Sequence, residues 1–257
     1  MDLSNFFQNK DCQKVLKILN HKNETSRIVG GYVRNYLRNI ETKDIDIATK
    51  LIPDEVISLL SKAGIKTVPT GLSHGTISAF INDQTFEITT LRKDTNYDGR
   101  HADIEFTDDW AVDASRRDFT INAIYMNSDG DIYDPFDGIS DLNSGTVKFI
   151  GDPEKRIKED YLRILRYYRF LSFYDSSVDS ETRKLIKKNA SSIVNLSSER
   201  IHMEFFKILD NDNSGKIINF MEEDGILELI FSYPVDVKVY NRMIDIDNEL
   251  FFNEDIL

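Results

Sequence analysis

The sequence predicts an α+β chain: an N-terminal part built on a small mixed β-sheet, followed by an all-helical part. Two observations lead there. Between about residues 26 and 150, short apolar runs of period two alternate with amphipathic runs of helical period. From Asp152 onward no convincing strand pattern remains, and the change falls at Gly151-Asp152-Pro153. This divides the chain into a mixed part, 1–150, and a helical part, 151–233.

In chain order, Arg27 to Val29 reads as a short buried strand and Tyr32 to Asn39 as a helix with Val33, Tyr36 and Leu37 inward. Gly30-Gly31 sits at the junction, where the missing Cβ atoms allow a sharp turn and close approach of a ligand. The free N–H groups of the helix start then face an anion, and Arg34, one turn in, can grip phosphate with two parallel donors. In Asp44-Ile45-Asp46-Ile47 a strand puts both acids on one face and both isoleucines in the core. Two adjacent carboxylates repel unless a cation sits between them, and Mg²⁺ completed by substrate phosphates suits such a pair. Alone, a Gly-Gly is usually a turn and an Asp-x-Asp a solvated strand edge. In this order and spacing they point together to nucleotide chemistry.

A helix is expected at 53–63, with Pro53 in its first turn and Gly64 after its end. Strands follow at 65–68, 76–82 and 85–91, with His74 in the turn between the first two, a structural position. Residues Gln84 to Leu91 alternate, so Phe86, Ile88 and Thr90 share one face and Thr85, Glu87 and Thr89 the other. In an antiparallel sheet Glu87 could stand beside Asp44 and Asp46 as a third catalytic carboxylate; it could equally face solvent. Arg92 to Phe106 is polar and bears both charge signs, which reads as a mobile loop. In Asp113 to Ala123, Asp118 could buttress Arg117 and aim it at a triphosphate, or the pair could be a surface salt bridge of little consequence. Strands at 123–127, 131–134 and 147–150 and a helix at 137–142 complete this part.

Helical patterns then run over 153–174, 180–190, 197–210, 213–222 and 225–231. Within the first, steps of three residues advance about 300°, so Asp160, Arg163, Arg166 and Arg169 climb one slanted ridge. Leu162, Ile164, Leu165 and Tyr168 fill the opposite side. Carboxylate and guanidinium beside Tyr167 can hydrogen-bond a base edge while the ring stacks on it. Asp160 and Arg163 together could read either cytosine or adenine.

Composition bounds the partners. The 257 residues are 40% hydrophobic and 30% charged, an ordinary globular balance. No run approaches a membrane span and the N-terminus lacks a basic-then-apolar leader, so the expectation is a cytoplasmic protein without a membrane partner. Cys12 is the single cysteine, which rules out an intrachain disulfide. A net charge of −12 argues against indiscriminate nucleic-acid binding. Local basic clusters such as Arg183, Lys184, Lys187 and Lys188 leave room for RNA binding that is modest and salt-sensitive.

Taken together, the motifs resemble the class II tRNA nucleotidyltransferase and poly(A) polymerase family, in wording closest to CCA-adding enzymes. The matching residues are Gly30-Gly31-Tyr32-Val33-Arg34 with Asp44-Ile45-Asp46, Phe86 to Arg92, and Asp98-Gly99-Arg100-His101-Ala102. Arg116 to Ala123, Asp134-Pro135-Phe136-Asp137-Gly138 and Glu159 to Arg166 continue the same order. The resemblance implies a nucleotidyltransferase head followed by a helical neck whose first helix selects the base. It implies Mg²⁺ on Asp44 and Asp46, with CTP or ATP held by Gly31, Arg34, Arg117, Asp160, Arg163, Arg166 and Arg169. It further implies that the 92–106 loop serves the switch from C to A addition, and that the partner is the 3′ end of tRNA. Asn35 and Asn39 depart from the family's Asp and Gly, which questions the bracing of Arg34. Residues 234–257 read as the start of a truncated body domain. A second subunit or self-association is then one source of the missing tRNA grip. Poly(A) addition, partial CC or A addition, and an inactive nucleotide-binding remnant are the alternatives.

Overall fold

The structure, a computed structural model, describes residues 9–42, 44–95, 103–174 and 178–251, with side chains as far as 246. Lys43, the Asp98-Gly99-Arg100-His101-Ala102 motif and residues from Phe252 on lie outside these. The chain divides into two compact units. One comprises Met1–Asn143 with Lys148–Gly151, the other Ser144–Val147 with Asp152–Leu257.

The first unit opens with α1 (Lys10–Leu19), capped by the Asn9 side chain, which accepts from Cys12 N. There follow β1 (Ser26–Val29), α2 (Gly31–Leu37), β2 (Ile45–Thr49), α3 (Pro53–Lys62) and β3 (Lys66–Gly71). Next come β4 (Thr76–Ile81), β5 (Gln84–Thr90), and the pair β6 (Arg92–Thr95) and β7 (Asp103–Phe106). The unit continues through α4 (Trp110–Arg116), β8 (Tyr125–Met126), β9 (Ile132–Tyr133) and α5 (Gly138–Ser144).

Seven strands form one mixed sheet in the order β3-β4-β5-β2-β1-β8-β9, parallel only between β2 and β5. Alternation along β2 and β5 does what the sequence promised: Ile45, Ile47, Phe86 and Ile88 are buried, while Asp46 and Glu87 are exposed. A second core, under β1 and β2, gathers Val29, Ala48, Leu91, Trp110, Ala114, Ala123, Tyr125 and Ile150.

Several expectations are corrected. On α2 the inward residues are Tyr32, Val33 and Arg34, while Tyr36 and Leu37 are half-buried. The ends of the expected 92–106 loop are strands: β6 and β7 pair antiparallel from Arg92–Phe106 to Thr95–Asp103. Residues 147–150 form no strand; Phe119 and Phe149 make an isolated bridge, because Thr120 and Ile150 N–H groups find carbonyls across this one crossing. Helices α1 and α4 were not anticipated, although Asp109 caps α4 by accepting from Ala111 N.

The second unit is helical: α6 (Pro153–Glu159), α7 (Leu162–Leu171), α8 (Ser180–Asn189), α9 (Ser198–Leu209), α10 (Ser214–Glu223), α11 (Ile226–Phe231) and α12 (Val237–Phe251). The single helix expected over 153–174 is broken. Asp160 is extended (φ −154°, ψ 107°) and its carboxylate accepts from Leu162 N, starting a new helix. No helix among the described residues is long and apolar enough to cross a membrane.

Candidate active site

The turn from β1 into α2 is made by Gly30 at φ 72°, ψ −125°, a conformation that side chains disfavour. A Cβ placed there would lie 3.7 Å from Arg117 Nη1 and 4.0 Å from Asp46 Oδ2; one on Gly31 would lie 3.8 Å from Arg34 Nη2. A bare corner of backbone is therefore flanked by two guanidiniums and one carboxylate.

Each arginine is held from behind. Arg34 donates from Nη1 to Asn122 Oδ1 at 2.6 Å, and from Nε and Nη2 to Asn35 Oδ1 at 3.2 and 3.1 Å. Asn35 thus braces Arg34 despite its missing charge, answering the question its identity raised. Arg117 is held from α4 and from β8. Its partners are Asp113, at 3.2 Å, and the Tyr125 hydroxyl, to which its Nε donates at 3.1 Å. Asp118 accepts from Phe119 N and Asn122 Nδ2. The geometry is local: Arg117 follows the end of α4, so the residue four back on that helix lies beneath it.

Asp113 also accepts from the Tyr125 hydroxyl at 2.7 Å and pairs with Arg116 at 2.9 Å. Burial alone would raise its pKa, but Arg117, Arg116 and the Tyr125 hydroxyl outweigh burial and hold it at about 2. Arg117 is affected in the opposite sense: burial opposes its charge, Tyr125 and Asp113 prevail, and its pKa rises.

The acids stand next to this corner. In the register of the sheet Asp46 pairs with Val29 on one side and Glu87 on the other. Glu87 does stand beside Asp46, but through the parallel β2–β5 pair rather than an antiparallel one. Asp44, Asp46, Glu87, Ile45 and Thr85 line an open cavity of about 330 Å³. Although Asp46 keeps solvent-exposed surface, desolvation by the surrounding protein raises its pKa; Glu87 and Asp44 push the same way, against Arg117. A raised pKa of this kind follows from crowding carboxylates together with no cation between them.

Among the described residues no three His, Cys, Asp or Glu side chains are grouped closely enough to hold a metal by themselves. Glu87 therefore does not complete a three-ligand cage here. The donor set is hard oxygen, two or three carboxylates on an open face, which fits an ion whose remaining ligands come from substrate and water.

In the second unit, Asp160 sits in the break between α6 and α7 and pairs with Arg200 at 2.8 Å. Arg163 is buried, its Nη1 donating to Arg156 O and Glu159 Oε2, both at 2.7 Å. Arg166 and Arg169 face Glu204, at 3.6 and 2.7 Å. The ridge is thus not carried by one helix: Asp160 lies in the break and Arg163, Arg166 and Arg169 lie on α7. Arg200, Glu204, Asn122 and Tyr125 were missed, and only tertiary packing brings them in. Asp113 and Glu159 left a signal, each lying four residues before the arginine it binds.

Comparison with known proteins gives the family. Residues 26–148 match the family described as the poly A polymerase head domain, and 177–235 that described as the probable RNA and SrmB-binding site of polymerase A. The chain is 43% identical over 226 residues to the mitochondrial CCA tRNA nucleotidyltransferase 1 of Homo sapiens, covering 85% of this chain and 49% of that protein. It is 36% identical over 214 residues to a Geobacillus CCA-adding enzyme, covering 82% and 52%. The Bacillus stearothermophilus CCA-adding enzyme in complex with CTP superposes with a TM-score of 0.76 at 31% identity, over 84% of this chain and 52% of that one. A tRNA nucleotidyltransferase complexed with a primer tRNA and an incoming ATP analog gives 0.73 at 27% identity, over 90% and 68%.

The seven-stranded sheet and the helices after it are those of the head and neck of a nucleotidyltransferase. The chain belongs to the CCA-adding enzyme and poly(A) polymerase family. It spans about half the length of the curated relatives it matches.

Proposed function

We propose that this chain is a template-independent nucleotidyltransferase that adds cytidine and adenosine to the 3′ end of tRNA from CTP and ATP, releasing pyrophosphate. The observation that carries the proposal is Asp46, aligned with Glu87 on the sheet and reaching to within a side chain's width of the Gly30 corner that Arg34 and Arg117 flank. CCA-adding relatives solved with CTP, and a tRNA nucleotidyltransferase solved with a primer tRNA, support the choice of substrates.

In this reading the triphosphate lies along the Gly31 backbone and takes charge-assisted hydrogen bonds from Arg34 and Arg117. Asp44 and Asp46 would hold Mg²⁺, which when bound neutralises phosphate charge and makes the attacking hydroxyl more acidic. The 3′-oxygen of the RNA bonds to the α-phosphorus, the bond from that phosphorus to the β-phosphate bridge breaks, and the hydroxyl proton leaves to solvent. Asp160 and Arg163 read the base. Arg163 Nη1 is committed to Arg156 and Glu159, so readout falls to the remaining donors of its fork.

The test is Asp46→Asn in the full chain, with tRNAs ending before C, CC or A and with CTP and ATP offered singly and together. Transfer should fall by at least about a thousandfold. Because desolvation first, and then Glu87 and Asp44, disfavour the Asp46 charge in the metal-free protein, the same substitution should raise the thermal midpoint in chelator. Sign follows from the raised pKa: the ionised carboxylate costs stability as pH climbs through its folded value, and asparagine removes that cost. Normal transfer by the variant would end the proposal. Long A tails from the unaltered chain would favour poly(A) addition, and nucleotide binding without incorporation would favour an inactive remnant.

A further inference from the structure

Arg200, in the first turn of α9, reaches the carboxylate that stands in the break between α6 and α7. Its Nη2 donates to Asp160 Oδ2 at 2.8 Å, while Leu162 N donates to Oδ1 at 3.1 Å. One donor on each oxygen fixes the plane of the carboxyl group; the Leu162 N–H alone would let it turn. The pair joins residues 40 positions apart. One turn further along α9, Glu204 accepts from Arg169 of α7 at 2.7 Å. Helix α9 thus sets a base against the acid that precedes α7 and an acid against a base near its end, and the two contacts hold the helices in register.

As a source of stability a partly exposed ion pair counts for little. Asp160 and Arg200 keep 28% and 30% of their side-chain surface exposed, so the carboxylate remains open to a ligand while it is held. Each of its oxygens has accepted one hydrogen bond and retains a second lone pair, and an ionised carboxylate accepts without ever donating. Cytosine and adenine carry an amino donor where uracil and guanine carry a carbonyl acceptor. Held in one orientation, Asp160 rewards the amino group and leaves the carbonyl unpaired against a negative charge. A carboxylate that turns can withdraw from the carbonyl, and the penalty on the wrong base shrinks. We propose that Arg200 is a positioning residue for base selection: by holding the Asp160 carboxylate it makes the site take amino-bearing bases and refuse keto-bearing ones. The inference rests on the base-reading role given to Asp160 above and adds the residue on which that reading depends.

Single-nucleotide incorporation by the full chain, recorded beside thermal melts, tests it. A tRNA lacking the first C is offered CTP or UTP, and one lacking the last A is offered ATP or GTP; the readout is the ratio of kcat/KM within each pair. Arg200→Gln should lower both ratios about tenfold. Arg200→Lys keeps the charge but not the planar fork, and should lower them about threefold. In an Asp160→Asn background, Arg200→Gln should change the ratios by less than about twofold, because no carboxylate is left for it to hold.

An Arg200→Gln protein that melts early yet keeps both ratios would be a tether between helices, and the inference would be overturned. An equal loss of kcat/KM for all four nucleotides would overturn it too, as would an Arg200→Gln effect that persists undiminished beside Asp160→Asn. Should Arg200→Gln not fold, Arg200→Lys decides, and unchanged ratios in that variant end the inference. An unaltered chain that incorporates neither C nor A would bring down the proposed function itself. One that incorporates both, with selectivity indifferent to Arg200, would bring down this inference alone.

Discussion

Replacing Asp113 by asparagine removes one negative charge from beneath two arginines and a tyrosine without changing the shape of the side chain. Asp113 is 1% exposed, and its pKa stands at about 2 against an ordinary 3.8. A depression of that size corresponds to roughly 2 kcal/mol of folding stability at neutral pH. Breaking a buried pair so that its cations lose their counter-charge costs about 3–5 kcal/mol in measured cases. The loss should fall between about 2 and 4 kcal/mol. At a typical urea dependence this lowers the unfolding midpoint by roughly 1–2 M.

Trp110 makes the measurement specific. It is the only tryptophan and lies in the same core, its ring centroid 5.5 Å from that of Tyr125, so its fluorescence follows this unit alone. The sign of the pH dependence is fixed by the downward shift. The Asp113 contribution is complete above the unfolded pKa near 3.8 and fades as pH falls towards 2, so the variant should lose most of the acid sensitivity between those values. A midpoint within about 0.3 M of the unaltered chain, with its acid slope intact, would refute the view that Asp113 anchors Arg117.

Two further substitutions probe the corner and its support. Gly30→Ala places a Cβ at ordinary van der Waals distance from its neighbours but at φ 72°, ψ −125°, so strain rather than collision should cost about 1–3 kcal/mol and weaken triphosphate binding, as calorimetry with CTP would show. Gly138→Ala meets a collision instead: its Cβ would lie 2.3 Å from the Thr120 carbonyl oxygen, which is backbone and cannot swing away. A loss of about 3 kcal/mol or more in chemical denaturation is expected, and a melting point like that of the unaltered chain would contradict the packing described.

Local periodicity was enough for whatever depends on neighbours along the chain. Alternation in Asp44-Ile45-Asp46-Ile47 and in Phe86-Glu87-Ile88 placed acids outward and isoleucines inward, because successive residues of a strand must face opposite ways. Glycines 30 and 31 announced the corner, since few other residues tolerate that backbone. Partnerships across the fold were a different matter. That β5 runs parallel to β2, that Asn122 lies against Arg34, and that Glu204 takes up Arg169 all join residues from 35 to 88 positions apart. Nothing along the chain encodes such a pairing by itself; it exists only once sheet order and helix packing bring those surfaces together. The break at Asp160 shows the limit from the other side. Its carboxylate competes for the backbone N–H of Leu162, and this local contest, invisible to helical periodicity, turned one expected helix into two.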